Sequence, residues 1–271
     1  MPQAVSVSSV RDALAAAEDA LRAAGCNTPR LDAELLLAHA LGVSREALVT
    51  DARAGVPPAA ARRMMEIVRR RVAREPVAYI LGSKGFRHIE LTVDRRVLIP
   101  RPETELLVEV ALELPRGARV HDVGTGSGAV ALALKQERPD LVVSASDASP
   151  AAVEVARANA TALGLEVPVS AAAGLPPGEY DLVLANLPYV REDEWRALQP
   201  EIVRYEPREA LVSGADGLEA IRALVAQAPT GTRLALEHAP AQAEAVRSLL
   251  RSSDALRDLA GRERVTVGSA P

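Results

Sequence analysis

From Ala118 onward, short apolar runs alternate with helical patterns, and this alternation constrains the fold more than any other feature. The apolar runs predict strands at residues 119–123, 141–146, 167–172, 180–185 and 232–236. Helices are predicted at residues 129–137, 150–163, 218–228 and 241–252, and residues 265–267 are predicted to form an edge strand. Such alternation is typical of a mostly parallel sheet covered by helices on both faces. The sequence therefore predicts the α/β fold class.

The part of the chain before this region has a different period. Between about residues 7 and 75, apolar residues recur at helical spacing and are interrupted by Gly25, Gly42 and the Pro57-Pro58 pair, which predicts about four helices. Ser44 is predicted to cap a short helix among them. We therefore expect a small all-helical domain at residues 1–76.

A linking β-hairpin is predicted between the two regions, within residues 77–101. Its first strand holds Phe86, Ile89, Leu91 and Val93, residues 97–99 form its partner, and residues 94–96 form the turn. Pro102 is well placed to begin a helix that runs to about residue 114. The remaining domain is predicted to span residues 102–271.

Composition limits the class of protein. The 271 residues carry a net charge of −4, which gives no electrostatic reason to expect stable nucleic-acid binding. The single Cys26 excludes an intrachain disulfide and a cysteine metal cluster, and no histidine shows metal-ligand spacing. No apolar run is long enough to span a membrane and no secretory leader is evident, so we expect a cytoplasmic protein without membrane contact.

A glycine-rich loop follows the first strand of the predicted sheet. It contains Asp122, Gly124, Thr125, Gly126, Ser127 and Gly128. Glycines let the backbone turn tightly and let a ligand approach closely, and ligands of open α/β sheets bind at the carboxyl ends of strands. Asp147 ends the next strand, where its carboxylate can accept hydrogen bonds from both hydroxyls of a ribose. The loop and Asp147 together indicate a nucleoside-containing ligand.

Other interpretations of these residues remain open at this point. The loop could be a simple tight turn, or it could bind a dinucleotide such as NAD, although its third glycine comes early for that motif. Asp147 could cap the following helix, a role for which Ser149 competes. Asp122 could order the loop through its amides, or it could be a solvated acid at the end of a strand.

A second motif, Asn186-Leu187-Pro188-Tyr189, follows the strand predicted at residues 180–185. The side-chain oxygen of Asn186 and the carbonyl of Leu187 can accept the two hydrogens of one NH2 group. Pro188 keeps Leu187 out of helical angles, and Tyr189 offers a flat face to a planar group. Beside a methyl donor, these four residues would align a nitrogen for methylation. They could also form an ordinary strand-ending turn with a core tyrosine.

With these motifs the chain resembles the protein-(glutamine-N5) methyltransferases that modify peptide chain release factors, the HemK/PrmC family. The resemblance covers nearly the whole length and includes residues 74–82, 85–86, 97–105, 206–211 and 214–218. The most family-specific run is Pro-Arg-Pro-Glu-Thr-Glu at residues 100–105.

The resemblance implies a class I, Rossmann-like methyltransferase that acts on the glutamine of the Gly-Gly-Gln motif in class 1 release factors. The donor would be S-adenosyl-L-methionine and the product S-adenosyl-L-homocysteine. The donor would be held by the loop residues listed above, by Asp147 and by Asn186, and the glutamine amide by Asn186 to Tyr189. The helical domain would help to hold the release factor.

Two departures from the family pattern bear on the donor site. The family usually has proline at the position of Leu187, and it usually has a polar or acidic residue where this chain has Ala171, Ala172, Ala173 and Gly174. We therefore expect weaker donor binding or a different adenine pocket, with unchanged chemistry.

Two rival functions remain. An adenine-N6 methyltransferase acting on DNA or RNA would grip an exocyclic amino group in the same way, with the tyrosine stacked on a flipped base. A non-catalytic relic would bind the donor without turnover.

Overall fold

Most of the predicted elements form, and they are arranged in two units. The computed structural model describes residues 9–271. The first unit contains the described residues up to Gly82 together with Pro200–Tyr205, and the second contains Ser83–Gln199 and Glu206–Pro271. No helix in the described part of the chain is long and apolar enough to cross a membrane.

The first unit is helical, as predicted. Its helices are α1 (Val10–Ala23), α2 (Pro29–Leu41), α3 (Arg45–Thr50), α4 (Pro58–Val72), α5 (Val77–Leu81) and, from later in the chain, α9 (Pro200–Tyr205). The side chain of Ser44 accepts a hydrogen bond from the backbone of Ala47, so it caps α3 as predicted. Leu21, Leu36 and Leu37 are fully buried in the core of this unit.

The second unit is built on a seven-stranded sheet. Its strands are β3 (Arg119–Val123), β4 (Val142–Asp147), β5 (Val169–Ala171), β6 (Leu182–Ala185), β7 (Arg233–Glu237), β8 (Arg251–Arg257) and β9 (Glu263–Ser269). The spatial order is β5-β4-β3-β6-β7-β9-β8; the first five strands are parallel, and β9 and β8 are antiparallel to their neighbours. The helices of this unit are α6 (Glu105–Leu112), α7 (Ala129–Glu137), α8 (Pro150–Leu163), α10 (Glu219–Gln227) and α11 (Ala243–Ser248). The predicted mostly parallel α/β sheet is confirmed.

The β-hairpin exists, but its predicted pairing is wrong. Strand β1 (Ser83–Phe86) pairs with β2 (Ile89–Thr92) across a turn at Arg87, which has a φ of 48°. Residues 97–99 are not a strand, because the backbone N–H of Ile99 donates instead to the carboxylate of Glu206 at 3.2 Å. The true turn contains neither glycine nor asparagine, so its sequence carries no strong turn signal.

The predicted end of the sheet is also wrong in detail. Strand β9 lies between β7 and β8, so β8 is the edge strand and residues 265–267 are internal. Helix α11 ends at Ser248, four residues before its predicted end. Strand β8 was missed because it is polar and half-exposed, and such a strand lacks a clear alternation of apolar and polar residues.

Candidate active site

The glycine loop and the Asn186 motif occupy equivalent places on neighbouring strands. Val123 at the end of β3 pairs with Ala185 at the end of β6, so Gly124 and Asn186 are the next residues along each strand. The strand order reverses between β3 and β6, since the chain proceeds from β3 to β4 and β5 on one side and from β6 to β7 on the other. Ligands of open α/β sheets bind at the carboxyl ends of strands at such a reversal.

Backbone hydrogen bonds and left-handed glycines fix the loop. The backbone N–H groups of Gly124 and Thr125 both donate to the carbonyl of Ser146, at 2.9 and 3.0 Å. The φ angles of Gly124, Gly126 and Gly128 are 74°, 56° and 86°, a region that side-chain-bearing residues rarely adopt.

Gly128 is constrained by space as well as by its backbone angle. A Cβ atom there would lie 2.8 Å from Leu132 Cδ1. We expect Gly128→Ala to lower the free energy of unfolding by about 2–4 kcal/mol through backbone strain and overpacking together.

The matched control for this prediction is Gly164→Ala. Gly164 also has a positive φ, but a Cβ there meets nothing within 4 Å, so only the backbone term of roughly 1 kcal/mol applies. Chemical denaturation of both variants measures the difference. Equal losses would show that packing against Leu132 is unimportant.

Asp147 organises the glycine loop, and its carboxylate keeps the capacity to accept further hydrogen bonds. Its Oδ2 accepts the backbone N–H of Gly126 at 2.9 Å, and its Oδ1 accepts that of Ser149 at 2.8 Å. A carboxylate has about four acceptor positions, so two remain for a pair of hydroxyls. The cap of α8 is Ser149, whose side chain accepts from the backbone of Ala152.

Three predicted loop residues have buried side chains and do not line the cavity at this edge of the sheet: Asp122, Thr125 and Ser127. Asp122 accepts a hydrogen bond from the hydroxyl of Thr125 at 2.6 Å, and the carbonyl of Ser127 accepts one from Asn159 at 2.9 Å. These contacts brace the loop from within. Burial raises the pKa of Asp122 to about 7, against the opposing effect of its hydrogen bonds to Thr125 and the backbone of Ala131.

The raised pKa of Asp122 predicts a pH dependence of stability. Between about pH 4 and pH 7 the unfolded chain has lost this proton and the folded chain has kept it, so the free energy of unfolding falls as pH rises. Asp122→Asn should reduce that fall by about 4 kcal/mol. Denaturation at several pH values, with the surface variant Asp193→Asn as control, measures it. An unchanged pH slope in Asp122→Asn would contradict the assignment.

A cavity of about 440 Å³ opens at this edge of the sheet. Gly124, Gly126, Asp147, Asn186 and Leu187 are among the residues that line it. Its volume falls within the roughly 300–1,000 Å³ typical of small-molecule sites. The cavity thus brings part of the predicted donor set and part of the predicted acceptor set to one space, and Tyr189 is not among its lining residues.

The alanine-rich segment after β5 borders the same cavity and has a polar neighbour from elsewhere in the chain. Ala172, Ala173 and Gly174 line the cavity together with Gln227 of α10. The side-chain oxygen of Gln227 accepts the backbone N–H of Leu175 at 3.1 Å, which leaves its amide hydrogens available. Gln227 supplies a polar group where the local sequence showed none.

The Asn186 side chain is held in a definite orientation. Its Nδ2 donates to the hydroxyl oxygen of Thr104 at 2.9 Å. Neither Asn186 Oδ1 nor the Leu187 carbonyl accepts a hydrogen bond from any residue between 9 and 271. Two oxygens at the end of β6 therefore remain available as acceptors.

This acceptor corner, residues 186–189, lies directly against the glycine loop. A Cβ atom built on Gly124 would lie 2.9 Å from Leu187 Cδ2 and 3.8 Å from the carbonyl oxygen of Asn186. The leucine that departs from the family pattern thus covers the first glycine of the loop.

Tyr189 is fixed at both ends. Its hydroxyl donates to Glu237 Oε1 at 3.4 Å, and its carbonyl accepts from Gln242 Nε2 at 2.9 Å. Gly217 packs so closely beneath that a Cβ there would lie 2.2 Å from the same carbonyl oxygen. Burial and the neighbouring carboxylate raise the pKa of Tyr189, so the hydroxyl stays neutral.

Glu206 joins two of the motifs that carry the family resemblance. Its carboxylate accepts hydrogen bonds from the backbone of Ile99 at 3.2 Å and from Arg101 Nη2 at 2.6 Å. The run at residues 97–105 is thereby tied to the run at residues 206–211. Sequence reasoning gave Glu237 a structural role and assigned none to Glu206, Thr104 or Gln227, because each of these residues acts on residues distant in the chain.

Comparison with known proteins gives matches along most of the sequence. Residues 12–82 match the PrmC N-terminal domain, and residues 102–246 match the methyltransferase small domain. The release factor glutamine methyltransferase of Cereibacter sphaeroides is 42% identical over 96% of this chain and 98% of its own length. The protein of the same name from Deinococcus radiodurans is 40% identical over 94% of this chain and 96% of its own.

The fold also resembles solved structures of methyltransferases. The hMettl16 catalytic domain, solved in complex with a MAT2A 3'UTR hairpin, superposes with a TM-score of 0.50 at 15% identity and covers 67% of this chain and 76% of that one. At this identity the likeness concerns the fold alone, which is the Rossmann-like fold of class I methyltransferases. By its sequence relatives, the chain belongs to the release factor glutamine methyltransferase family.

Proposed function

We propose that this chain methylates the side-chain amide nitrogen of the glutamine in the Gly-Gly-Gln motif of class 1 peptide chain release factors, with S-adenosyl-L-methionine as donor. The observation that carries the proposal is the pair of unbonded oxygens, Asn186 Oδ1 and the Leu187 carbonyl, placed against the donor loop at the reversal of strand order. The family to which the chain belongs supports the same reaction.

The donor pocket fits the methyl donor in size and in chemistry. Asp147 retains two acceptor positions for the ribose hydroxyls, and Gly124 and Gly126 line the cavity without a side chain that would keep a ligand away. Gln227 offers a polar group near the alanine-rich wall, where a base can lie. When bound, S-adenosyl-L-methionine supplies a methyl group on a sulfonium sulfur, and S-adenosyl-L-homocysteine is left as product.

The acceptor corner suits a primary carboxamide. The NH2 group of glutamine has two hydrogens, and the corner presents two acceptors that are fixed relative to each other by a Pro188-stiffened backbone. Tyr189 supplies an aromatic ring beside them, on which the planar amide can lie. With both N–H hydrogens bound in the plane of the amide, one face of the glutamine nitrogen is left to point toward the glycine loop.

Orientation is the main contribution that these residues make to the reaction. An amide nitrogen is a weak nucleophile, so holding it in line with the methyl carbon lowers the barrier by removing the entropic cost of alignment. As the nitrogen–carbon bond forms, the sulfur–carbon bond breaks, and one N–H proton leaves to solvent. The growing positive charge on the NH2 group strengthens both of its hydrogen bonds to the corner, which favours the transition state.

The helical domain is assigned to substrate recognition. We propose that residues 1–76 hold the body of the release factor while its Gly-Gly-Gln loop enters the acceptor corner. This assignment is supported by the match of residues 12–82 to the PrmC N-terminal domain.

A labelling experiment separates this function from its rivals. The purified chain is incubated with donor labelled in its methyl group and with a release factor, with the same release factor carrying a Gln→Ala change in Gly-Gly-Gln, or with DNA or RNA. We expect label only in the unmodified release factor. Label in nucleic acid alone would favour adenine methylation, and donor binding by calorimetry without any transfer would favour a non-catalytic role.

A further inference from the structure

Glu237 is a buried carboxylate beside the acceptor corner, to which the reaction as described assigns no role. It ends β7, whose Leu236 pairs with Ala185 of β6, so Glu237 and Asn186 are the next residues along adjacent strands. Its exposed fraction is 1%. Within residues 9–271, its Oε2 is the only buried side-chain nitrogen or oxygen atom without a hydrogen-bond partner. Buried polar atoms in proteins almost always have a hydrogen-bond partner, so a buried carboxylate with an unpaired oxygen requires an explanation.

Two hydroxyl groups connect Glu237 to the corner. Tyr189 donates to its Oε1 at 3.4 Å, and the hydroxyl of Thr104 lies near enough to the same carboxylate to lower its pKa. The Thr104 oxygen in turn accepts from Asn186 Nδ2 at 2.9 Å. Thr104 is 5% exposed, so water does not compete freely for its hydroxyl.

The direction of these hydrogen bonds follows from the charge on Glu237. An ionised carboxylate can only accept, so the single hydroxyl hydrogen of Thr104 points toward it. The Thr104 oxygen can then only accept from Asn186, which selects the Nδ2 end of that amide and leaves Oδ1 facing outward. A protonated Glu237 could donate to Thr104 instead, and Thr104 could then donate to a flipped Asn186 amide.

We propose that Glu237 is a positioning residue that acts through the Thr104 hydroxyl to keep Asn186 Oδ1, not Nδ2, turned toward the substrate nitrogen, and through the Tyr189 hydroxyl to fix that ring. The inference rests on the proposed function, because a substrate NH2 group needs an acceptor at this point. An inverted Asn186 amide would present two N–H donors to the two N–H donors of the substrate.

We call the chain of contacts from Glu237 through Thr104 to Asn186 the relay. Other charged groups face it and set its response to pH. Burial raises the pKa of Glu237 to about 7, the nearby Glu103 carboxylate acts in the same direction, and the guanidinium of Arg264 opposes them. Arg101 also faces Tyr189. Above the pKa of Glu237, the ionised carboxylate should keep the Thr104 hydroxyl hydrogen directed toward itself and Asn186 Oδ1 turned toward the substrate. Below that pKa, this orientation should be lost.

Variants of Thr104 and Glu237 test the relay through kcat at saturating donor and release factor. Thr104→Val keeps the shape but removes the hydroxyl and should lower kcat roughly tenfold, the effect of one lost hydrogen bond. Thr104→Ser restores the hydroxyl and should recover most of that loss. Glu237→Gln should lower kcat by a similar factor, and adding Thr104→Val to it should cost little more, because both changes break one relay. Donor affinity should not change in any of these variants.

Two further readouts separate positioning from a merely structural role. The wild-type kcat should rise as pH increases through about 7, and Glu237→Gln should abolish that rise. In the ligand-free protein, nuclear magnetic resonance should show hydrogen exchange of the Asn186 side-chain amide that is slow in wild type and Thr104→Ser, and fast in Thr104→Val.

The outcomes distinguish this inference from the proposed function. If wild type methylates release factor but Thr104→Val and Glu237→Gln match it in kcat, pH profile and amide exchange, the relay is wrong and the function stands. If wild type transfers no methyl group, the function is wrong, and the amide exchange measurement still decides whether Thr104 holds Asn186. Additive losses in the double variant would also overturn the relay.

Discussion

Replacing Asn186 with alanine is expected to abolish most turnover while leaving donor binding intact. The variant loses Oδ1, one of the two acceptors that the proposed function assigns to the substrate NH2 group, at the point where positive charge would develop during transfer. Removal of one such preorganised contact typically lowers kcat by roughly 10²–10³-fold. Steady-state kinetics with release factor and isothermal calorimetry with the donor measure the two effects separately.

The control is Asn27→Ala, which changes an exposed asparagine of the helical unit. It should match wild type in both assays. An Asn186→Ala protein with near wild-type kcat would show that the substrate nitrogen is held elsewhere. Equal loss of donor binding and turnover would instead assign Asn186 to the donor pocket alone.

Replacing Asp147 with alanine is expected to weaken binding of the donor, which Asn186→Ala is expected to leave intact. The change removes the two acceptor positions that the proposed function assigns to the ribose hydroxyls, and it also releases the backbone N–H groups of Gly126 and Ser149 that shape the loop. Hydrogen bonds to a charged group contribute about 1.5–3 kcal/mol each, so the dissociation constant of the donor should rise at least roughly 100-fold. Calorimetry with S-adenosyl-L-homocysteine gives the same comparison without turnover.

Asp140→Ala is the matched control, because Asp140 lies just before the other end of β4 and pairs with Arg138 at the edge away from the cavity. Its donor affinity should equal that of wild type. Unchanged affinity in Asp147→Ala, with circular dichroism showing a folded protein, would mean that the donor lies elsewhere.

The sequence predicted the part of the site that is built from continuous segments. The glycine loop and residues 186–189 each follow a short segment that was predicted as a strand, and the carboxyl ends of parallel strands meet at one edge of a sheet. Their proximity followed from the fold class. The helices at Ala129–Glu137 and Pro150–Leu163 were predicted with their observed bounds, because glycine and a Ser-Pro pair mark where they begin.

The hairpin and the end of the sheet were harder to predict. The turn at Arg87 has no glycine although the φ of Arg87 is positive, and the Arg87 guanidinium pairs with Glu137 on α7, far away in the sequence. Strand β8 has few apolar residues, so its pairing with β9 is determined by tertiary structure and not by local pattern.

The supporting residues of the site could not be predicted from local sequence at all. Thr104 lies 82 positions from the asparagine that it holds, and Gln227 lies 52 positions from the backbone group that it bonds. Each looks like an ordinary helical residue in its own segment. Only the folded sheet, which brings β6, β7 and the start of α6 together, gives them a role.

The measurement that tests the central claim most directly is a crystal structure of the chain with S-adenosyl-L-homocysteine and a peptide that contains Gly-Gly-Gln. We predict that the glutamine Nε2 lies within hydrogen-bonding distance of both Asn186 Oδ1 and the Leu187 carbonyl, with its free face toward the donor sulfur. A glutamine side chain bound away from Asn186, or an Asn186 amide that turns Nδ2 toward the peptide, would contradict the account.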